Sequence, residues 1–163
     1  MSKMVFSLLV ENEAGVLSRV AGLFSRRGYN IDSLTVGITE NPIYSRMTVV
    51  ANGEPEILEQ IEKQLAKLVD VIEIKKLLRD ESVIRELILI KVASTPSERK
   101  DIIAIADVFR ANIVDVSDKS IMIELTGNDE KIKAFINLLS DYHIKELVRT
   151  GVAGLSRGIK DED

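Results

Sequence analysis

The chain has 163 residues, 45% of them hydrophobic and 29% charged, a balance that folds into one ordinary domain or two small ones and excludes a disordered chain. A formal net charge of −4 gives no electrostatic pull toward nucleic acid, and three Tyr, four Phe and no Trp leave little surface for base stacking. Cysteine is absent, which excludes a disulfide framework, a thiolate nucleophile and a cysteine zinc site and fits a reducing cytoplasm; the apolar run at the N-terminus, about six residues, is too short for a signal peptide or a membrane span.

Met4, Phe6, Leu8 and Val10 alternate with Val5, Ser7 and Leu9, which predicts a central strand. From Val16 the spacing changes to that of a helix, with Val16, Leu17, Val20, Ala21 and Phe24 inward, Ser18, Arg19, Ser25 and Arg26 outward, and Gly28 as its stop. Ile31 to Thr39 and Tyr44 to Ala51 read as a hairpin turned at Asn41-Pro42. In the first of these strands Ile31, Ser33, Thr35 and Gly37 should share one face, and Asp32, Leu34, Val36 and Ile38 the other. Gly53-Glu54-Pro55 opens a second helix with Leu58, Ile61, Leu65 and Leu68 inward, and Asp70 to Leu78 closes the set as a strand.

After the charged break "RDESVIRE", Arg79 to Glu86, the order repeats. Leu87 to Val92 is strand-like, and Thr95, Pro96 and Glu98 form a capping box for a helix carrying Ile102, Ile103, Ala106 and Phe109. "NIVDV" and "SIMIELT" are paired strands, Asn128 caps a helix with Ile132, Phe135, Ile136 and Leu139, and Ile144 to Arg149 closes the unit. The order strand, helix, strand, strand, helix, strand, found twice, predicts an α+β chain of two ferredoxin-like βαββαβ domains in tandem: residues 1–78, a linker at 79–84, and residues 85–163. Val5 and Leu87, Leu8 and Ile90, Val10 and Val92, Asn30 and Asn112, and Ile31 and Ile113 share one offset, which fits duplication of one unit and equally fits two unrelated units of a common topology. The same offset sets Ser94 against Asn12 and Ser97 against Gly15, so the second unit lacks the glycine of the first loop.

No catalytic set is visible. His143, the sole histidine, has no second histidine or cysteine to complete a metal site or a triad and reads as surface. The carboxylates Glu11, Glu13, Asp32, Glu40 and those of the terminal "KDED" are spread over loops and read as solvated charge. No phosphate-binding glycine motif is present. The loop "ENEAG", Glu11 to Gly15, is what remains. A helix starting near Gly15 has unpaired first N–H groups and the positive end of its dipole there, which makes a seat for a small carboxylate; Gly15 removes a crowding Cβ and Asn12 offers a donor and an acceptor. The alternative stays open that Asn12 caps the helix and Gly15 only fits the turn. A binding site needs a second wall, which a symmetry mate would provide by setting its Asn30 and Ile31 against Asn12 to Leu17.

"LLVENEAGVLSRVAGLFSRRGYNIDSLTV", "SRMTVV", "LEQIEKQLAKLVDVI" and "RTGVAGLSRG" together resemble the small, regulatory subunit of acetolactate synthase. The first unit resembles an ACT domain, the second the C-terminal domain of that family. The resemblance implies a subunit with no active site or cofactor of its own, which forms a homodimer through the ACT domain, activates a catalytic subunit carrying thiamine diphosphate, Mg²⁺ and FAD, and confers feedback inhibition by valine or a related branched-chain amino acid. By position in the motif it places the effector contacts at Asn12, Gly15, Val16 and Leu17 and, across the dimer, at Asn30 and Ile31, with Gly37 nearby. Two rivals share the fold: an RNA-recognition module, for which Tyr44 to Val49 lacks the aromatic pattern, and a stand-alone amino-acid sensor acting on another enzyme or a transcription complex.

Overall fold

The structure, a computed structural model, describes residues 2–159, so the terminal "KDED" expected as solvated charge lies outside the described residues. The described chain divides into two compact units, one of residues 2–84 together with 152–159, the other of residues 85–151.

In the first unit β1 (Ser2–Glu11), α1 (Val16–Arg27), β2 (Asn30–Ile38), β3 (Tyr44–Gly53), α2 (Pro55–Ala66) and β4 (Val71–Leu77) follow the expected order. The antiparallel sheet runs β2-β3-β1-β4, which leaves β2 and β4 at its edges. Phe6, Leu8 and Val10 of β1 and Met47, Val49 and Ala51 of β3 are buried with Val20, Leu23 and Phe24 of α1 and Leu58, Ile61 and Leu65 of α2, so both helices cover one face of the sheet. α1 stops at Gly28, whose φ of 66° is left-handed; Gly28 N–H donates to the Ser25 carbonyl and Tyr29 N–H to that of Phe24, with the Tyr29 ring edge-on to Phe24. This is the paired-carbonyl helix stop that glycine permits at no steric cost.

β2 departs from simple alternation. A bulge between Ile31 and Ser33 resets the phase, so Ile31 joins Leu34 against the helix-side core while Ser33 and Thr35 face the other way. The face-sharing of Ile31 with Ser33 and Thr35 read from the sequence is therefore corrected by one extra residue, Asp32. The second unit carries the same bulge, between Ile113 and Asp115.

That unit repeats the plan with β5 (Ser82–Ala93), α3 (Pro96–Val108), β6 (Asn112–Val116), β7 (Ser120–Gly127), α4 (Asp129–Leu139) and β8 (His143–Ser156), in the order β6-β7-β5-β8. Its own core is built on Ile88, Ile90, Val92, Ile102, Ile121, Ile123, Ile132 and Phe135. Two strands are longer than the sequence predicts. The stretch expected as a linker, 79–84, is a 3-10 turn at Arg79–Glu81 that runs straight into β5. Glu86, read as part of a charged break, is buried inside that strand because Arg149 of β8 grips its carboxylate through Nε and Nη2 at 2.6 and 3.0 Å. β8 continues past Arg149 to Ser156, where its last residues lie with the first unit.

The stop of α3 has the geometry of the stop of α1, built on a different residue. Arg110 stands where Gly28 stands in α1 and takes the same left-handed turn, φ 56°, with Ala111 N–H on the Ala106 carbonyl and Arg110 N–H on that of Asp107. A side chain in this conformation costs roughly 1–2 kcal/mol, and glycine returns about 0.4–1 kcal/mol of that through the freer unfolded chain. Arg110→Gly should therefore raise the stability of the second unit by up to about 1 kcal/mol in urea titration, since the Arg110 side chain is exposed.

Candidate functional site

The loop between β1 and α1 is held from both sides. Glu11 N–H donates to the Asp70 carbonyl at 3.0 Å and Asn12 N–H to the Ile43 carbonyl at 2.8 Å. The Asn12 side chain donates through Nδ2 to the Pro42 carbonyl at 2.9 Å and accepts from the Ser45 hydroxyl at 3.2 Å. Asn12 is thus tied to the β2–β3 hairpin and does not cap α1, which corrects that half of the alternative; the other half, that Gly15 fits the turn, agrees with its left-handed φ.

The cap position belongs to Gly15, at φ 87° and with no side-chain bond to the helix. Only glycine takes that angle freely. Val16 N–H has one long contact, 3.5 Å, to the Glu13 carbonyl, and Arg19 N–H is the first to close a helical bond, on the Gly15 carbonyl at 2.9 Å. Among the described residues the N–H groups of Leu17 and Ser18 have no acceptor. No acidic residue stands in the first turn of α1 itself.

Arg19, read as an outward residue, lies back over this turn. Its Nε and Nη2 fork onto the Asp70 carboxylate at 2.5 and 3.0 Å, and its Nη1 stands 2.9 Å from where a Cβ on Gly15 would be. Asp70 is nearly buried, and the Arg19 hydrogen bond holds its carboxyl below the usual aspartate range while the guanidinium is raised in turn. The consequence is an ion-paired guanidinium held against Gly15, with Nη1 as the nitrogen not bonded to Asp70. Sequence reasoning missed Arg19 because its partner is 51 residues away; the only local signal is its place one helical turn after Gly15.

The corresponding helix of the second unit is built differently. Thr95 accepts from Glu98 N–H and the Glu98 carboxylate reaches back to Thr95 N–H, so α3 starts with a reciprocal side-chain cap that α1 lacks. α4 is capped by Asn128, which accepts from Lys131 N–H. The open helix start is a property of the first unit.

The predicted contact residues fall into two groups at opposite ends of the first sheet. Asn12 to Leu17 lie where Glu11 pairs with Tyr44 and Ile38 with Ser45; Asn30 and Ile31 lie where they pair with Asn52 and Ala51. Six or seven strand residues separate the ends, roughly 20 Å, so one chain does not bring the groups together. The Val16 side chain is 3% exposed and belongs to the core, leaving only its N–H for a ligand. Leu17 is 47% exposed, and Val36, Ile38 and Ile43 are exposed at the same end.

The arrangement sets unpaired amides and the Arg19 guanidinium near exposed apolar side chains. Among the described residues no group of three or more His, Asp or Glu could hold a metal, and no helix is long and apolar enough to cross a membrane.

Residues 6–73 match the family described as the AHAS small subunit-like ACT domain, and residues 85–158 that described as the small subunit of acetolactate synthase. The acetolactate synthase small subunit of Haemophilus influenzae is 49% identical over 96% of this chain and 97% of its own. That of Mycolicibacterium smegmatis is 51% identical over 93% of this chain and 89% of its own. The crystal structure of the small subunit from Thermotoga maritima superimposes with a TM-score of 0.89 at 40% identity, covering 98% of this chain and 100% of that one. With both halves matched and the fold shared end to end, the chain belongs to the family of acetolactate synthase small subunits.

Proposed function

We propose that this chain is a non-catalytic regulatory subunit that binds the acetolactate synthase catalytic subunit in the cytoplasm, activates it, and makes it sensitive to valine or a related branched-chain amino acid. Thiamine diphosphate, Mg²⁺ and FAD belong to the catalytic partner in this reading, and none is placed on this chain. The observation that carries the proposal is the open start of α1: a glycine cap, unpaired N–H groups on Leu17 and Ser18, and the Arg19 guanidinium beside them. Such a turn suits the carboxylate of a free amino acid, and the exposed Leu17, Val36 and Ile38 suit a short aliphatic side chain.

Topology supports the second wall. β2 is an edge strand, and edges of this kind are stable when paired. Two β2 strands running antiparallel about a two-fold axis set the Asn30 end of one beside the Ile38 end of the other, which is the end where Asn12 to Leu17 lie. Each dimer then has two equivalent clefts, each closed by Asn30 and Ile31 of the neighbouring chain.

Calorimetric titration of the purified full chain with valine, leucine and isoleucine tests the proposal. Saturable heat at one effector per chain, in a protein that sediments as a dimer, is the expected result. A monomer, or no heat with any of the three, would overturn it.

A further inference from the structure

The face of the first sheet turned away from its helices is not open. Ser7 of β1, Thr48 and Val50 of β3 and Leu77 of β4 point to that side and are all buried. The end of β8 crosses it. At one edge, Ser33 and Thr35 of β2 hold a single residue by both its backbone groups: Val152 N–H donates to the Ser33 hydroxyl at 3.0 Å, and the Thr35 hydroxyl donates to the Val152 carbonyl at 2.7 Å. Toward the other edge, a Cβ on Gly154 would stand 2.9 Å from Leu77 Cδ1, 3.1 Å from Ile84 Cγ1 and 3.2 Å from the Val83 carbonyl oxygen, and Arg157 N–H donates to the Glu81 carbonyl at 2.7 Å. The strap is therefore closely seated, and a side chain at Gly154 would require its neighbours on β4 and β5 to shift.

From this we infer that Ser33 and Thr35 are positioning residues that pass the effector's binding to β8. The inference rests on the effector reading above, and goes beyond it by naming how the signal leaves the site. Asn30 and Ile31 open β2, and Ser33 and Thr35 follow within the same strand after the bulge. A shift of the strand on closing round an effector moves both hydroxyls together. Each grips a different backbone group of Val152, so a displacement of the strand acts on both the N–H and the carbonyl of that residue. β8 is continuous from His143, so Val152 lies on the same strand as the residues that pair next to β5 in the second unit. Two half-buried hydroxyls on a strand face have a simpler use as sheet filler, and Val or Ala fills that space equally well. What hydroxyls add is the direct hold on a backbone residue far along the chain.

The test replaces the hydroxyls and keeps the shape: Ser33→Ala with Thr35→Val, measured in the full chain and in the complex reconstituted with the catalytic subunit. Valine binding to the chain by calorimetry should stay within about threefold of the wild type, and activation of the catalytic subunit should persist. The valine concentration for half-inhibition should rise at least about fivefold, the lower end of ordinary coupling energies. Thr35→Ser, which keeps the donor, should restore the wild-type curve when Ser33 is intact. Hydrogen exchange at the Val152 amide should quicken in the double variant and not in Thr35→Ser, a readout that space filling alone would not move. If the double variant binds valine and is inhibited as the wild type is, the relay is wrong and the effector site stands. If the wild-type chain binds no branched-chain amino acid, both fall.

Discussion

Gly15→Asp should abolish inhibition by valine in the reconstituted complex while leaving activation of the catalytic subunit in place. The new carboxylate would sit at the open start of α1, beside the unpaired N–H groups of Leu17 and Ser18 and within reach of Arg19 Nη1, which is 2.9 Å from the position of its Cβ. It occupies the seat from within the chain. An incoming effector loses two or more charge-assisted hydrogen bonds, worth roughly 1.5–3 kcal/mol each, and meets a like charge as well. The combined loss predicts at least about a hundredfold weaker binding, which the inhibition curve and the titration should both show. The fold survives because the strain of a left-handed residue at φ 87° is offset in part by a negative charge at a helix N-terminus and next to the Arg19 guanidinium. Gly15→Ala separates charge from space: it adds the strain and the Cβ without the carboxylate, and should weaken inhibition much less. Equal inhibition in Gly15→Asp and wild type would remove the site from the molecule.

The parts of this site that a reader of the sequence could see were those set by local chemistry. Gly15, the capping box at Thr95 and Glu98, the cap at Asn128 and the stop at Gly28 each depend on residues within one turn of helix, and each stands where the sequence predicts. The two βαββαβ plans were legible for the same reason, since alternation and helical spacing are short-range signals. What escaped was long-range. Arg19 reads as solvated until Asp70 is brought to it, and Glu86 reads as part of a charged break until Arg149 is. Val152 shows no reason to continue a strand until Ser33 and Thr35 supply one from the far end of the chain. The bulge after Ile31 escaped because a single extra residue inverts the faces without altering composition, so alternation alone placed Ile31 beside the two hydroxyls rather than in the core.

Phe135→Ala should cost the second unit about 3–5 kcal/mol, the range for removing a fully buried aromatic side chain. Phe135 is 0% exposed and meets Phe109 edge-on, ring centres 5.2 Å apart, within a core otherwise built mostly of Ile. Little there is flexible enough to fill the gap, which puts the cost toward the upper end. A unit of this size has a total stability on the order of 5–15 kcal/mol, so its melting temperature should fall by more than about 10 °C. No residue of the first core belongs to the second: one is drawn from β1, β3, α1 and α2, the other from β5, β7, α3 and α4. Scanning calorimetry of the variant should accordingly show two transitions, the lower one displaced and the upper near its wild-type position. Valine should raise the upper transition alone, because a ligand stabilises the unit whose folded form it binds. The strap gives this experiment a second consequence. Once the second unit melts, β8 no longer has a folded start, so the hold of Ser33 and Thr35 on Val152 has nothing to transmit. Between the two transitions the chain should bind valine and fail to pass inhibition to the catalytic subunit. A single transition that shifts as a whole, with valine moving all of it, would mean that the two cores unfold as one block.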